Sequence, residues 1–314
     1  MSPIDVGAHR SGYLVILAPT PKLGERERIA AERGALACAL ELAKEHAIAE
    51  TENRLRGDFV DELLQGRAGD EQSAITRARH LGYDLTMPHV ALVLQPQASS
   101  QIEVDEVLSD LADTIATTGA CRPLTRIGNS YLTIFYPLRH GLSSDEAERA
   151  IKSAIARANS HWPGVAISCG VGRYHRGLDG LRKSYREAEQ ALAIGRSLFG
   201  PGCIVSFGKL GVYRLIFLLH QNPELDAYYR EVLGSLTDYD ARKGTELVHT
   251  LEVYFACQGN IQKTAETLYL HRNSLAYRLR RIKELTGLDP DDLEDRFQLQ
   301  LALKIRRALQ GDKP

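Results

Sequence analysis

Between Arg272 and Lys283 the chain carries Arg272, Arg278, Arg280, Arg281 and Lys283 with no acid among them, beside Asn273, Ser274 and Tyr277. Guanidinium and ammonium groups neutralise phosphates, and an amide such as that of Asn273 can donate to and accept from one base edge at once. The whole chain has a formal net charge of −1, so this cationic density is local. It suits an element that enters a negatively charged groove. A solvated basic helix on the side of a bundle has the same composition, and only the arrangement of the residues separates the two.

At about 100° per residue, Leu275, Leu279 and Ile282 form one apolar stripe. Asn273, Tyr277, Arg280 and Arg281 point away from it, with Arg272, Arg278 and Lys283 on its flanks. The stripe must pack on something. Asn260 is a good N-cap, and Ile261, Ala265 and Leu268 follow at helical spacing, so a short helix precedes the cationic one. Tyr269-Leu270-His271 breaks the pattern as a three-residue turn, and Gly287 closes the second helix. Small Ala265, the short turn and the cationic second helix together read as a helix-turn-helix facing double-stranded DNA. Asn273 and Tyr277, nearest the N-terminus of the outward face, are expected at base edges, with Ser274 in the same DNA-facing set. Arg272, Arg278 and Lys283 are expected at phosphates, and Arg280 and Arg281 at either.

Residues 260–287, with LDPDDLEDRFQLQLALKIRRAL after them, resemble the C-terminal helix-turn-helix of PucR/CdaR-type bacterial transcription regulators. The likeness runs without gaps through His271-Arg272-Asn273-Ser274-Leu275, Tyr277-Arg278-Leu279-Arg280-Arg281-Ile282 and Thr286-Gly287. It implies a sequence-specific DNA-binding regulator.

A chain of 314 residues, 44% hydrophobic and 25% charged, has room for two or three domains with their own cores. Five scattered cysteines form no CxxC pair and no grouping with histidine, so they read as buried thiols in a reducing cytosol. No apolar run reaches the length of a membrane span, and the start lacks the layout of a signal peptide. A cytoplasmic protein without membrane contact is expected.

The apolar run at residues 12–18 reads as one strand, which cannot make a domain. From Glu25 to Leu64 no proline occurs, and Ile29, Leu36, Leu40, Ala43, Ala47, Ile48, Leu55, Phe59 and Leu63 recur at spacings of three, four and seven. This predicts a helix of about 60 Å at 1.5 Å per residue, unless Gly57 breaks it. Its apolar seam needs a partner, and a second copy of the chain fits better than a fold-back. The resemblance makes residues 1–24 the end of an upstream, GAF-like sensory domain and residues 25–66 a linker and dimerisation helix.

From residue 67 to about 208 the pattern alternates helices and strands, with one tight hairpin turn at Gly128-Asn129-Ser130, so a mixed sheet carrying helices is expected, an α+β palm. Arg126-Ile127-Gly128-Asn129-Ser130-Tyr131-Leu132 and Val165-Ala166-Ile167-Ser168-Cys169-Gly170-Val171-Gly172 resemble the GGDEF-like domain of the same regulators. In active diguanylate cyclases the hairpin supplies acids for metal and catalysis. Here Gly128 is kept, but Asn129, Ser130 and Tyr131 stand where the rest of that motif would be. The strand His89-Val90-Ala91-Leu92-Val93-Leu94 also has no carboxylate for Mg²⁺. A scaffold or dimerisation unit without catalysis, cofactor or metal is expected.

Residues 210–219, apolar nearly all round, read as a buried helix. Residues 209–239 are expected to be connecting helices, and residues 240–314 an all-α reader domain beginning near Asp240. Asp289-Pro290 is expected to start the last helix, with Leu293, Phe297, Leu301, Ile305 and Leu309 as its buried stripe. His220 and His249 read as packing histidines and Trp162 as a loop anchor. The ten histidines sit singly, and no HExxH, GxSxG or phosphate-binding loop occurs. The combined expectation is a homodimeric DNA-binding regulator with an unknown small-molecule effector. A nucleotide- or metabolite-binding signalling module is the alternative, and a divergent nucleotide cyclase stands behind it.

Overall fold

The computed structural model describes residues 1–6, 9–17, 24–98, 100–118, 122–128, 130–139 and 141–311. Asn129 of the hairpin and Cys121 lie outside the described residues. Strands β1 (Ser2–Val6) and β2 (His9–Leu14) pair antiparallel, where the sequence pattern indicated a single strand further on. These segments are too polar to stand out by hydropathy. They are held by the following helix, α1 (Glu25–Leu64), on which Leu14 reaches Gly34 beside buried Ala31 and Ala35.

Helix α1 runs unbroken through 40 residues, with Glu25 and Glu27 in its first turn opposing the helix dipole. Its apolar seam divides in two. Phe59, Val60 and Leu63 are buried in the middle domain, whereas Leu36 and Leu40 are each 72% exposed and Leu55 51%.

The middle domain is a five-stranded sheet in the order β4-β5-β3-β6-β7, comprising β3 (His89–Gln97), β4 (Leu124–Gly128), β5 (Tyr131–Pro137), β6 (Ala166–Val171) and β7 (Ile204–Ser206). All pairings are antiparallel except β6 with β7, so the sheet is mixed as expected. On central β3, Val90, Leu92 and Leu94 face α3 (Gln101–Thr118) and α4 (Asp145–His161). Ala91 and Val93 face the end of α1, α2 (Glu71–His80) and α5 (Gly177–Phe199). Burial on both faces explains why this strand reads as a continuous apolar run. Asp70 caps α2, accepting from the Ser73 N–H at 2.7 Å. Trp162 ends α4 and donates from Nε1 to Asp110 at 3.2 Å, which anchors that loop.

Strand β6 lies so close to α5 that a Cβ on Gly170 would sit 2.0 Å from the Ala188 carbonyl oxygen, and one on Gly172 2.1 Å from that of Ser184. Glycine at both positions lets the layers touch. Ser184, fully buried there, accepts from the Ala91 N–H at 2.9 Å.

After a 3₁₀ turn (Phe207–Lys209), α6 (Tyr213–Leu218) covers only six residues and is not a buried helix. Ile216 is buried, but Leu215 is 61% exposed and Leu218 72%. Helix α7 (Pro223–Lys243) is capped by Asn222 and runs straight through Asp238-Tyr239-Asp240, so no break falls at the expected boundary. Its Val232, Leu233 and Leu236 share one core with α8 (Leu247–Ala256), α10 (Arg272–Thr286) and α11 (Leu293–Gly311). Asp240 caps α8 from a distance, accepting from the Leu247 and Val248 N–H groups, both at 2.9 Å.

Helix α11 begins at Leu293, capped by Asp292, which accepts from the Glu294 and Asp295 N–H groups; Asp289-Pro290 belongs to the preceding turn. Its buried line is Leu299, Ala302, Ile305 and Ala308, while Leu293 and Phe297 are 84% and 59% exposed. A strict i+4 stripe drifts about 40° per step, so residues 293–309 cannot all face one core. His220 and His249 are exposed, with His220 stacked on Phe217 and His249 3.9 Å from Glu252, rather than packed in a core.

Candidate nucleic-acid interface

Helix α9 (Ile261–Thr267) is short because it is capped at both ends. The Asn260 side chain accepts from the Lys263 N–H at 2.9 Å, and Tyr269 takes a left-handed φ of 54° to turn the chain. Thr264 and Ala265 are its buried residues; Ile261, expected on that face, is 39% exposed. The small Ala265 side chain fits where the two helices approach. His271 opens α10, its Nδ1 accepting from the Asn273 N–H at 3.3 Å. Leu275 and Ile282 are fully buried and Leu279 half-buried, so the apolar stripe seats α10 on α7, α8 and α9. Gly287, with a left-handed φ of 73°, ends the helix through its N–H to the Lys283 carbonyl.

This seating sorts the eight residues read from the sequence. Arg272, Asn273, Ser274, Tyr277 and Arg280 are exposed along the outward side. Among the described residues, Arg272 and Arg280 are the cations of this helix with no ion pair or hydrogen bond to their side chains.

The other three cations are engaged. Arg278 Nη1 donates to Oγ1 of buried Thr250 at 2.9 Å, so it ties α10 to α8. Arg281 was expected to point outward but lies 4.8 Å over the Tyr239 ring and pairs with Glu284 at 2.8 Å. Lys283 pairs with Asp289 at 2.5 Å; this contact holds the Lys283 ammonium above its usual range and the Asp289 carboxyl below it.

The middle-domain hairpin joins β4 and β5, with Gly128 opposite Tyr131 as the last pair. Ser130 adopts a left-handed φ of 66° and Tyr131 is exposed. The Arg126 guanidinium lies against Gly128 and pairs with Asp61 of α1 at 2.7 Å, tying the hairpin to the long helix.

Residues 247–305 match the PucR C-terminal helix-turn-helix domain, and residues 65–194 match the GGDEF-like domain. The chain belongs to the PucR/CdaR-type regulators. It is 26% identical to the carbohydrate diacid regulator of Escherichia coli over 83% of this chain and 67% of that one. It is 25% identical to the purine catabolism regulatory protein of Bacillus subtilis over 98% of this chain and 59% of that one. With the proline-responsive transcriptional activator PutR of B. subtilis it shares 33% identity over 45% of this chain and 34% of that one. The chain therefore spans between a third and two-thirds of these relatives' lengths. No helix among its described residues is long and apolar enough to cross a membrane.

In this PucR/CdaR-type domain the sequence reading passed over Tyr269. It is 96% exposed in the turn that leads into α10. An aromatic at a helix-turn-helix corner, with Glu266 and Arg272 at i±3 and only small, buried Ala265 at i−4, is a legible signal.

Proposed function

We propose that the chain is a cytoplasmic, sequence-specific DNA-binding transcription regulator that works as a homodimer and carries a non-catalytic GGDEF-like domain. The observation that carries this reading is the outward face of α10. Unpaired Arg272 and Arg280 flank exposed Asn273 and Tyr277, while the remaining cations hold the helix in place. In this division Asn273 and Tyr277 contact base edges, Arg272 and Arg280 contact phosphates, and Ser274 and Tyr269 adjoin the backbone. Arg278, Arg281 and Lys283 act through the geometry of the helix.

The long helix supports the dimer. Leu36 and Leu40 lie one turn apart and keep most of their surface exposed among the described residues, and two recognition helices give a two-fold site its half-site spacing. For the middle domain, the β3 run Val90 to Leu94 and the hairpin residues Gly128, Asn129, Ser130 and Tyr131 supply no carboxylate, so two-metal phosphoryl chemistry has no anionic ligand at those positions.

The test is fluorescence anisotropy with a genome-selected duplex and its scrambled counterpart. Asn273→Ala should cost about 1–3 kcal/mol on the selected duplex and little on the scrambled one. Equal binding of both duplexes by the parent protein would refute sequence-specific recognition.

A further inference from the structure

Helix α5 and the start of α6 enclose a cleft of about 780 Å³ on the far side of the middle domain from its hairpin strands. One wall is cationic. Lys183 and Arg186 stand on successive turns of α5, both exposed and neither paired with an acid among the described residues. Arg173 and Arg214 bracket the Phe207 ring, each guanidinium carbon 5.0 Å from the ring centroid. The single lining carboxylate, Glu187, is already taken: it accepts from Arg173 and lies 3.0 Å from His175 Nε2. Arg173 offsets that carboxylate, and Lys183, Arg186 and Arg214 remain as three cations with no acid partner among the described residues, so the cleft is positive.

The lining from α6 and the turn before it is also apolar. Val212, Leu215 and Leu218 supply it, and the two leucines keep most of their surface in water. Large aliphatic side chains lining one concave surface with Lys183, Arg186 and Arg214 match a ligand with an anionic head and an apolar body. Helix α6 is shared between this cleft and the reader domain, because its Ile216 is buried against Ile305 and Ala308 of α11.

We propose that this cleft binds a small organic anion, its carboxylate or phosphate held by Arg186, Lys183 and Arg214 and its hydrocarbon body laid on Leu215 and Leu218. The site stands on its own geometry and does not depend on how α10 meets DNA.

Calorimetry of the full chain tests it with four probes: 1-naphthoate, 1-naphthyl phosphate, neutral 1-naphthylmethanol and inorganic phosphate. At least one of the two naphthyl anions should bind once per chain, and the stronger of them identifies the preferred head. The neutral alcohol and inorganic phosphate should each bind about tenfold more weakly or worse. Arg186→Glu and Leu218→Glu alter exposed side chains and should keep the parent melting temperature, yet each should weaken the anion by about tenfold or more. Equal affinity for the alcohol, equal affinity for bare phosphate, or unchanged binding in both variants would overturn the proposal. So would a fall in oligomeric mass on Leu218→Glu, which would make the apolar wall a protein interface. DNA affinity enters none of these readouts, so failure here leaves the reading of α10 untouched.

Discussion

Arg278 and Arg280 lie two residues apart on α10 in different surroundings, and the proposed docking gives them opposite tasks. Arg280 is exposed and unpaired, so Arg280→Ala should leave stability within about 0.5 kcal/mol of the parent. If its guanidinium neutralises one phosphate, the slope of log affinity against log salt should flatten by about 0.9. Between about 50 and 200 mM salt, 0.6 of a decade, the parent should then lose about 3.5-fold more affinity than the variant. Arg278 instead donates to the hydroxyl of fully buried Thr250 at 2.9 Å. A hydrogen bond from a charged donor contributes about 1.5–3 kcal/mol, and half-burial of the arginine places it near the lower end. Arg278→Ala should therefore lower the melting temperature and keep the salt slope. Thr250→Val should be markedly less damaging in the Arg278→Ala background than alone, because both remove the same contact. Thermal melts and anisotropy at four salt concentrations decide the matter. An Arg278→Ala protein with parental stability and a slope flattened by about 0.9 would mean the side chain leaves Thr250 for a phosphate, and an unchanged slope for Arg280→Ala would mean α10 does not dock by its outward face.

Three further outcomes are expected. Leu36→Glu with Leu40→Glu should reduce the mass found by light scattering without lowering the melting temperature, since both leucines are exposed in one chain; an unchanged mass would place any dimer contact elsewhere. Gly170→Ala should destabilise the middle domain by about 3 kcal/mol or more, because the methyl meets the backbone of α5 rather than a flexible side chain; a denaturation midpoint close to the parent's would contradict that packing. Burial acts to raise the Glu187 carboxyl, but its bonds from Arg173 and its contact with His175 outweigh this and hold it below the ordinary range. Its stabilisation is thus complete above the unfolded value of about 4.3 and is lost as pH falls through the lower folded value. Glu187→Gln should melt lower than the parent at neutral pH and lose less on acidification below about pH 4; equal acid losses in both would assign the titration to other groups.

The elements that the sequence located well are those whose signals are local. Asn260 caps where its side chain promised, Gly287 ends α10, and the apolar run of β3 pointed to a strand. Long-range packing was harder to see. The hairpin of β1 and β2 is polar and exists through its contact with α1. The apolar segment at residues 210–219 resembled a core helix, yet two of its leucines line an open cleft. Composition reports that a segment is apolar, and only the arrangement of neighbouring elements decides whether anything covers it.

At the candidate site the helical wheel separated the buried stripe from the charged face correctly, and it failed on what the charges do. Arg278 lies about 60° from Leu275 on the wheel, near enough to the buried face for its long stem to reach Thr250 on α8. Arg281 found Tyr239, a residue 42 positions earlier on a helix that the sequence had seemed to interrupt. Neither partner is on the recognition helix, so no periodicity within that helix could have revealed it. A cluster of five cations therefore overstates the charge available to DNA. Among the described residues two remain without an ion pair or side-chain hydrogen bond, Arg272 and Arg280, eight residues or about 12 Å apart along the axis. In the proposed docking both contact phosphates while Asn273 and Tyr277, exposed on the same helix, reach into the groove.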